Sequence, residues 1–454
     1  MSSSQKIWRV GTLTYTTASL CVLFGWLLWG NFAWLMKDRT ISQAATLLFH
    51  RFNTDDFIYT LVIVSFPNFT NIFLVPIIGY ISDRHRGRFG RRIPFLAFTT
   101  PFVVLGACGL GFVPTLGEFL FRHLPADTLS FNACCLIFFA LFWAILDFGA
   151  TLAGALSGAL INDVVPEKVI GRFYGCFRAV SLLAGVIFGM WIMGYIEKAY
   201  FWVFLGIGIF YGIGLTCLCL NVKEGEYPPV NEPPIKKVTD LFTPLVTYFR
   251  QSFSMPYYRW AMCAMVISNM AAHPLNMFAL FYIKSDAIGM SVEEYGHILA
   301  HCYCVSFLLS YILGALADRF HPIRATLVTN FFYFWVMLAG WFVVRDHDSF
   351  KVIMYAHTIV SGCYYTVSSS ITQRIFPRSL YAQFGSAQSL IAAIAAIAFS
   401  TSCGKFMNYV HSDYRYVYLI GSIVSLLSVL LMAKVLFNYN RLGGDKGYVA
   451  PVPK

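Results

Sequence analysis

Long runs of apolar residues, separated by short polar segments, follow one another from end to end of this sequence. Twelve of these runs reach about 20 residues or more, the length that an α-helix needs to cross the hydrocarbon core of a bilayer. The predicted spans lie near 11–36, 57–81, 94–114, 131–160, 173–196, 200–221, 258–283, 295–317, 323–344, 351–373, 384–407 and 416–438. The pattern therefore predicts an all-α membrane protein.

The longest hydrophilic stretch, 222–257, divides the predicted spans into six and six. A proline and a phenylalanine seven residues after it occur at matching places in the two halves, as Pro166 with Phe173 and Pro377 with Phe384. Internal repeats of this kind are typical of transporters. We predict an N-terminal six-helix bundle over 1–221, a cytoplasmic linker over 222–257, and a C-terminal six-helix bundle with a short tail over 258–454.

A short, strongly charged segment lies between the second and third predicted spans. Residues 83–92 contain five arginines and one aspartate, in a chain of which only 12% is charged. The glycine, aspartate and arginine that open it recur with the same spacing between two later spans, which predicts two copies of one membrane unit. We interpret both segments as cytoplasmic gating motifs, made of Gly79, Asp83, Arg84, Gly90, Arg91, Arg92, Gly314, Asp318 and Arg319.

Each residue type in this gating motif has an expected role. Gly79 and Gly314 are expected to allow close helix contact. Asp83 and Asp318 are expected to face the positive N-terminus of another helix, with arginine as a further partner.

The positively charged residues also indicate how the chain is oriented. Loops 82–93 and 222–257 carry the most arginine and lysine, whereas the first facing loop holds Lys37, Arg39 and Arg51. Because the more positive side of a membrane protein faces the cytoplasm, both termini are predicted to be cytoplasmic in a multi-pass protein of the cell membrane. The net charge of +11 is spread over such short loops, which argues against a nucleic-acid-binding surface.

Motifs for catalysis and metal binding are missing from the sequence. Most of the 12 cysteines lie inside apolar runs and lack zinc-ligand spacing. The sequence also lacks the H-E-x-x-H, nucleophile-elbow and phosphate-loop patterns. We therefore expect neither a metal nor a cofactor, and no enzymatic activity.

Charged residues inside a span are costly and usually functional, and two of those inside the predicted spans stand out. Asp147 lies in the middle of the fourth span, and Arg178 lies in the fifth. A mutual ion pair would explain how both tolerate the membrane, and a purely structural pair is the alternative. Because an apolar site raises the pKa of a carboxyl and a nearby arginine lowers it, Asp147 is the predicted proton acceptor and Arg178 its counter-charge.

Further polar and aromatic residues inside the spans are candidates for lining a substrate path. Thr151 lies one turn beyond Asp147, on the same face of the helix. The first half holds the charged pair, which suits ion coupling. The second half offers neutral polar groups, which suit hydrogen bonding. The candidates, each of which can equally serve packing, are Trp26, Asn31, Asn71, Thr151, His273, His357, Tyr364 and Gln388.

The segment Val75-Pro-Ile-Ile-Gly79-Tyr-Ile-Ser-Asp83-Arg84, continued by Arg88-Phe-Gly-Arg91-Arg92-Ile-Pro94, resembles the glycoside–pentoside–hexuronide:cation symporter group of the major facilitator superfamily. Phe24-Gly25-Trp26 and Trp143-Ala-Ile-Leu-Asp147 resemble its sucrose–proton symporter branch. The resemblance covers most of the first half. It implies two six-helix bundles around a central cavity and alternating access by rocking.

The resemblance also implies roles for particular residues. Asp147 falls on the helix-four aspartate that these symporters use for coupling or sugar contact, and Arg178 on the helix-five arginine of melibiose-type members. Asn71 and Val75 stand where melibiose-type members have sodium-binding aspartates, which favours a proton over sodium as the coupling ion.

We therefore expect a proton-coupled importer of a sugar, a glycoside or disaccharide such as sucrose or maltose, whose partners are the sugar, the proton and the bilayer. Two alternatives stay open on the sequence alone. One is a lysolipid or other amphiphile transporter of the same fold, and the other is a sodium-coupled sugar symporter.

Overall fold

The computed structural model describes residues 7–125, 128–227, 253–377 and 381–451, together with Arg250. An antiparallel hairpin of β1 (Trp8–Val10) and β2 (Leu13–Tyr15) comes first. The next helices are α1 Thr17–His50, α2 Asp56–Tyr59, α3 Phe66–Arg84, α4 Ile93–His123, α5 Phe131–Val164, α6 Glu167–Ile187 and α7 Tyr200–Asn221. A π-helical turn, Thr60–Ser65, joins α2 to α3, and the turns Phe188–Ile192 (π) and Met193–Tyr195 (3-10) follow α6.

The second half is built of helices as well. They are α8 Pro256–Met270, α9 His273–Lys284, α10 Val292–Phe320, α11 Pro322–Val343, α12 His347–Ser368, α13 Ile371–Ile375, α14 Tyr381–Tyr409, α15 Tyr416–Arg441 and α16 Gly444–Gly447.

The helices fit the predicted spans. Within the described residues, ten helical segments are long and apolar enough to cross a membrane. The remaining two predicted spans, 295–317 and 351–373, correspond to α10 and to α12 with α13. The prediction of an all-α membrane protein is confirmed.

The first helix is longer than the sequence suggests. The predicted span ends at residue 36, but α1 continues to His50. Lys37 and Arg39 therefore lie inside the helix and not in a loop. Beyond them the chain becomes apolar again, with Ile41 and Phe49 fully packed, and Arg39 donates to the Ser181 carbonyl of α6 (3.3 Å). Packing on both sides of the charges keeps the helix intact through them.

Helix ends are stabilised by polar side chains and prolines. The Thr16, Ser130 and Ser291 side chains accept hydrogen bonds from backbone N–H groups in the first turns of α1, α5 and α10. Proline occupies the first turn of α4, α8, α9 and α11, where its missing N–H costs nothing. The seventh span is broken at Ala271–Ala272, directly before α9, whose second residue is Pro274.

The chain forms two compact units. One comprises residues 1–54 and 70–235, and the other comprises 55–69 and 236–454. Each has its own core: Leu23, Leu156 and Phe173 are buried in the first, and Tyr258, Phe376 and Phe384 in the second. Unlike the predicted N-terminal bundle of 1–221, the first unit leaves residues 55–69 to the second. Most of the predicted linker, 228–249 with 251–252, lies outside the described residues.

The connection between α10 and α11 predicts a specific acid sensitivity. His321 connects them with φ 69 and is 8% exposed. Its Nδ1 accepts a hydrogen bond from the backbone of Ile323 (3.3 Å). Burial lowers the pKa of His321 to about 4, whereas an unfolded chain gives about 6.5. The stabilising effect of neutral His321 is therefore complete above pH about 6.5 and is lost as the pH falls toward 4.

We expect the melting temperature of His321→Asn to fall less steeply than that of the wild type between pH 6.5 and 4. Asparagine tolerates the positive φ. His411→Asn is the matched control, because His411 is exposed and also has a positive φ, of 54. Equal pH dependence in the wild type and both variants would contradict the assignment.

Candidate functional site

Asp147 lies buried in the middle of α5. Its residue is 6% exposed, and its Oδ2 accepts a hydrogen bond from the hydroxyl of Thr70 on α3 (2.5 Å). A carboxylate with so little access to water needs both hydrogen bonds and a counter-charge. The first unit supplies both.

The counter-charge is Lys37 of α1. Lys37 is 3% exposed, and its ammonium group lies within electrostatic range of the Asp147 carboxylate but beyond the 4 Å of a direct ion pair. Its Nζ also lies 3.8 Å from Oδ1 of Asp38, whose side chain is 62% exposed. An acid and a base from two membrane-spanning helices are thus buried in one electrostatic cluster.

Aromatic rings surround the lysine. Its Nζ lies 4.0 Å from the centre of the Trp34 ring and 5.8 Å from that of the fully buried Tyr211. The ring faces attract the ammonium group by cation–π interaction and exclude water from it. The Trp34 ring packs against α5 at Gly154, where an added Cβ would lie 3.3 Å from the ring.

The ion pair expected between Asp147 and Arg178 is not formed. Arg178 is exposed on α6, and within the described residues the groups that act on the Asp147 carboxylate are Thr70 and Lys37. The side of α5 that carries Asp147 faces α1 and α3. The cation that acts on the Asp147 carboxylate is therefore Lys37, and not Arg178 as the sequence predicted.

The other candidates of the first unit have different surroundings. Thr151, one turn from Asp147, is 8% exposed, and Asn31 of α1 is 9% exposed. Trp26 is half-buried against the apolar core, and Asn71 is exposed on α3. Its neighbour Thr70 contacts the aspartate instead.

The second unit contains a neutral polar cluster. The buried His357 of α12 donates from Nε2 to Asn276 Oδ1 (3.0 Å) and accepts at Nδ1 from the hydroxyl of Tyr333 (2.8 Å). A neutral ring, which donates at one nitrogen and accepts at the other, satisfies both contacts. Asn276 is exposed on α9, one turn after the break in the seventh span.

Three further candidates belong to the second unit. His273 is half-buried and begins α9. Tyr364 is 7% exposed, with its ring centre 5.3 Å from that of Tyr365. Gln388 of α14 donates from Nε2 to the sulfur of Met265 (3.6 Å). The role of these residues in lining a substrate path stays a prediction.

The first gating motif forms an ion-pair network at the ends of α3, α4 and α5. Arg91 donates to both oxygens of Asp163, from Nε (2.9 Å) and from NH2 (2.5 Å). Arg92 bonds Asp163, Asp83 and the buried Ser82 hydroxyl. The hydrogen bond with Asp163 is the main cause that raises the pKa of Arg91 above its usual value. Arg84 instead stacks on the ring of Tyr80 (3.7 Å).

The N-terminus of α4 is capped by Glu224, whereas Asp83 bonds the side chain of the N-cap residue Arg92. Glu224 follows α7, and its carboxylate accepts from the backbone N–H groups of Arg91 (3.0 Å), Arg92 (2.7 Å) and Ile93 (2.7 Å). A carboxylate at this end of a helix satisfies unpaired donors and favours the helix dipole. Nothing in the local sequence marks Glu224, because it lies more than 130 residues from its partners.

We expect Glu224→Gln to lower the free energy of unfolding by about 1–2 kcal/mol, as loss of a charged helix cap usually does. Hydrogen exchange of the amides at 91–93 should accelerate. Glu226→Gln is the matched control, since Glu226 is exposed two residues further on and its side chain takes no part in the cap. Unchanged exchange at 91–93 in Glu224→Gln would disprove the capping role.

The glycines of the motif have different roles. Gly90 has φ 96, and a Cβ there would lie 2.6 Å from Glu224, so both backbone and space require glycine. At Gly79 a Cβ would meet no atom of the described chain within 4 Å. The close helix contact expected at Gly79 is therefore wrong for this structure.

The second gating motif lies at the end of α10. Arg319 is exposed, with its guanidinium 5.4 Å from the Phe320 ring. Gly314 and Asp318 lie in the helix, but their side chains are outside the part that the structure describes. Among the described residues, no group of three potential metal-binding side chains comes together.

Helices long enough to span a membrane, with charged side chains buried between them, are typical of membrane transporters. The Major Facilitator Superfamily profile matches residues 14–400. This chain therefore belongs to that superfamily, as a multi-pass integral membrane protein.

Solved transporters share the fold. A POT family transporter in complex with a thioalcohol-conjugated peptide is 12% identical, with TM-score 0.61 over 94% of this chain and 96% of its own. A bacterial homolog of the human lysosomal transporter Spinster is 14% identical (TM-score 0.62, 94% and 97%). A D-xylose–proton symporter is 14% identical (TM-score 0.58, 92% and 97%). These similarities show the fold.

Proposed function

We propose that this chain imports a sugar, a glycoside or disaccharide, together with a proton by alternating access, and that Asp147 carries the proton. The observation behind the proposal is the buried pair of opposite charges, Asp147 and Lys37, with Thr70 bonded to the carboxylate.

The energetic cost of this pair supports a functional role. Removing a carboxylate and an ammonium from water costs several kcal/mol per ion, which their attraction only partly repays. Apolar side chains of similar size would stabilise the bundle as well or better. Charges retained inside a membrane commonly form proton relays or substrate contacts.

Proton binding would change the balance around the lysine. Once Asp147 is neutral, it no longer attracts Lys37, whereas Asp38 (3.8 Å) and the Trp34 ring (4.0 Å) still do. The Thr70 hydroxyl can then reverse its role and accept from the protonated carboxyl. Lys37 would thus shift toward Trp34, which transmits the proton's arrival to the neighbouring side chains of α1.

A neutral, hydroxylated substrate suits the remaining groups. His357, Asn276 and Tyr333 form an uncharged hydrogen-bonding cluster, and aromatic side chains are abundant in both units. A few placed polar groups among aromatic rings are the usual surroundings of a small ligand. The sequence resemblance to sucrose–proton symporters points the same way.

The test is uptake by purified protein in proteoliposomes with an imposed inward proton gradient. Radiolabelled sucrose, maltose and melibiose are screened beside a lysolipid, with and without a protonophore. We expect one sugar to accumulate and the protonophore to collapse that accumulation. Accumulation that follows a sodium gradient instead, or lysolipid transfer without sugar uptake, would overturn the proposal in favour of the corresponding alternative.

A further inference from the structure

The last membrane-spanning helix, α15, has one face that the described chain leaves exposed along its length. Its buried side chains, such as Met432, Val435 and Tyr439, lie on the side that packs against α8 and α11. The exposed face recurs every three or four residues, as one side of a helix does, and consists of Ile423, Leu427, Leu430, Lys434, Phe437 and Arg441. Large apolar side chains exposed over several turns of a spanning helix indicate contact with lipid.

Two cations share one aromatic ring at the C-terminal end of this face. Lys434 lies one turn before Phe437 in the helix, and Arg441 lies one turn after it. The Lys434 Nζ is 5.5 Å from the centre of the Phe437 ring, and the guanidinium carbon of Arg441 is 5.8 Å from the same centre. Because the ring is 55% exposed, both charges are brought to a place that a ligand can reach.

The protein does not neutralise these two cations. Within the described residues, neither Lys434 nor Arg441 lies within 4 Å of a carboxylate oxygen. The next carboxylate along the chain, Asp445, pairs instead with Arg324 (2.7 Å). Arg441 interacts favourably with the C-terminal end of the helix dipole, but Lys434 lies two turns inside the helix, beyond the reach of that effect. The two like charges repel each other, and an anion placed between them would be attracted by both.

We propose that this face of α15 binds an anionic phospholipid, with its phosphate beside Phe437 and between Lys434 and Arg441. The acyl chains would lie along the apolar residues of the same face. Those apolar residues favour a lipid over a soluble phosphate, and the paired cations favour a negative headgroup over a zwitterionic one. The C-terminus is predicted to be cytoplasmic, and anionic lipids are concentrated in the cytoplasmic leaflet.

Binding is measured by native mass spectrometry of the purified full chain in detergent. The probes are phosphatidylglycerol and phosphatidylcholine with identical acyl chains, which differ in the charge of the headgroup. We expect the first phosphatidylglycerol to bind at least tenfold more tightly than phosphatidylcholine, since each cation near a lipid headgroup contributes about fivefold in affinity. Glycerophosphoglycerol, which is the same headgroup without acyl chains, should not displace the lipid at equal concentration.

Substitutions of the two cations locate the site. Lys434→Gln and Arg441→Gln should each lower the preference for phosphatidylglycerol about fivefold, whereas Lys434→Arg should keep it. The melting temperatures should not change, because both side chains are exposed and glutamine is a good helix former. Lys405→Gln is the matched control, because Lys405 is an exposed lysine of the spanning helix α14 that, in the described part of the chain, shares no aromatic ring with a second cation.

Two results would overturn the proposal. A preference for phosphatidylglycerol that survives in both Lys434→Gln and Arg441→Gln, or that Lys405→Gln lowers equally, would indicate general attraction between a basic protein and anionic lipid. Displacement by glycerophosphoglycerol would indicate a site for a soluble phosphate instead of a lipid. Neither measurement involves sugar uptake, so the lipid site stands or falls separately from the proposed function.

Discussion

Asp147→Asn is expected to abolish accumulation of the sugar against its gradient, while exchange of internal for external sugar continues. Asparagine keeps the shape and can still accept from Thr70, but it cannot bind and release a proton. Uptake driven by a proton gradient should then bring the internal concentration only to the external one. The measurement is accumulation and counterflow of the transported sugar in proteoliposomes.

Asp38→Asn provides the matched control for this experiment. Asp38 is the other carboxylate near Lys37, but its side chain is 62% exposed. We expect this variant to accumulate sugar nearly as well as the wild type. Proton-driven accumulation that survives in Asp147→Asn, or is lost equally in both variants, would contradict the coupling role of Asp147.

Replacing one of the two buried charged residues should destabilise the protein more than replacing both. Lys37→Met leaves the Asp147 carboxylate without its buried counter-charge. Asp147→Leu leaves the buried ammonium group with only the exposed Asp38 and the Trp34 ring. Each single variant is expected to lose about 3–5 kcal/mol of the free energy of unfolding. The double variant should recover most of this loss, because no uncompensated charge remains.

The measurement is equilibrium unfolding of all four proteins in one detergent, combined as a double-mutant cycle. A coupling free energy near zero would show that the two charges do not interact across α1 and α5. The double variant should also be unable to accumulate sugar despite its restored stability. Accumulation by the double variant would argue for a purely structural pair.

The sequence predicts the architecture well, because apolar runs of about twenty residues are typical of membrane-spanning helices. It also points to Asp147, since a carboxylate inside an apolar run is conspicuous, and the structure buries this residue. Lys37 was missed because it belongs to the triplet Lys37-Asp38-Arg39, which lowers the local hydropathy so far that it resembles the end of a span. Only the packed apolar residues beyond it show that the helix continues.

The sequence could not show which residues that are distant along the chain contact each other. Arg178 and Lys37 are both cations of the first half, and the choice between them depends on which face of α5 meets which helix. Thr70 lies beside Asn71, the residue that the resemblance emphasised, and differs from it by one helical position. Adjacent side chains of an α-helix point about 100° apart around its axis, so Thr70 contacts Asp147 and Asn71 does not.

Glu224 has a mechanical consequence for the connection between the halves. Its carboxylate holds the start of α4, and the next residues are held as well, since the backbone N–H of Glu226 donates to the Thr12 hydroxyl of the N-terminal hairpin (2.8 Å). Both anchors precede the part of the chain that follows Tyr227. The segment from Glu224 to Glu226 thus fastens the start of α4 and the N-terminal hairpin to the end of α7 within the first unit. A substitution that frees Glu224 should therefore loosen the hairpin as well, because one short stretch of chain makes both contacts.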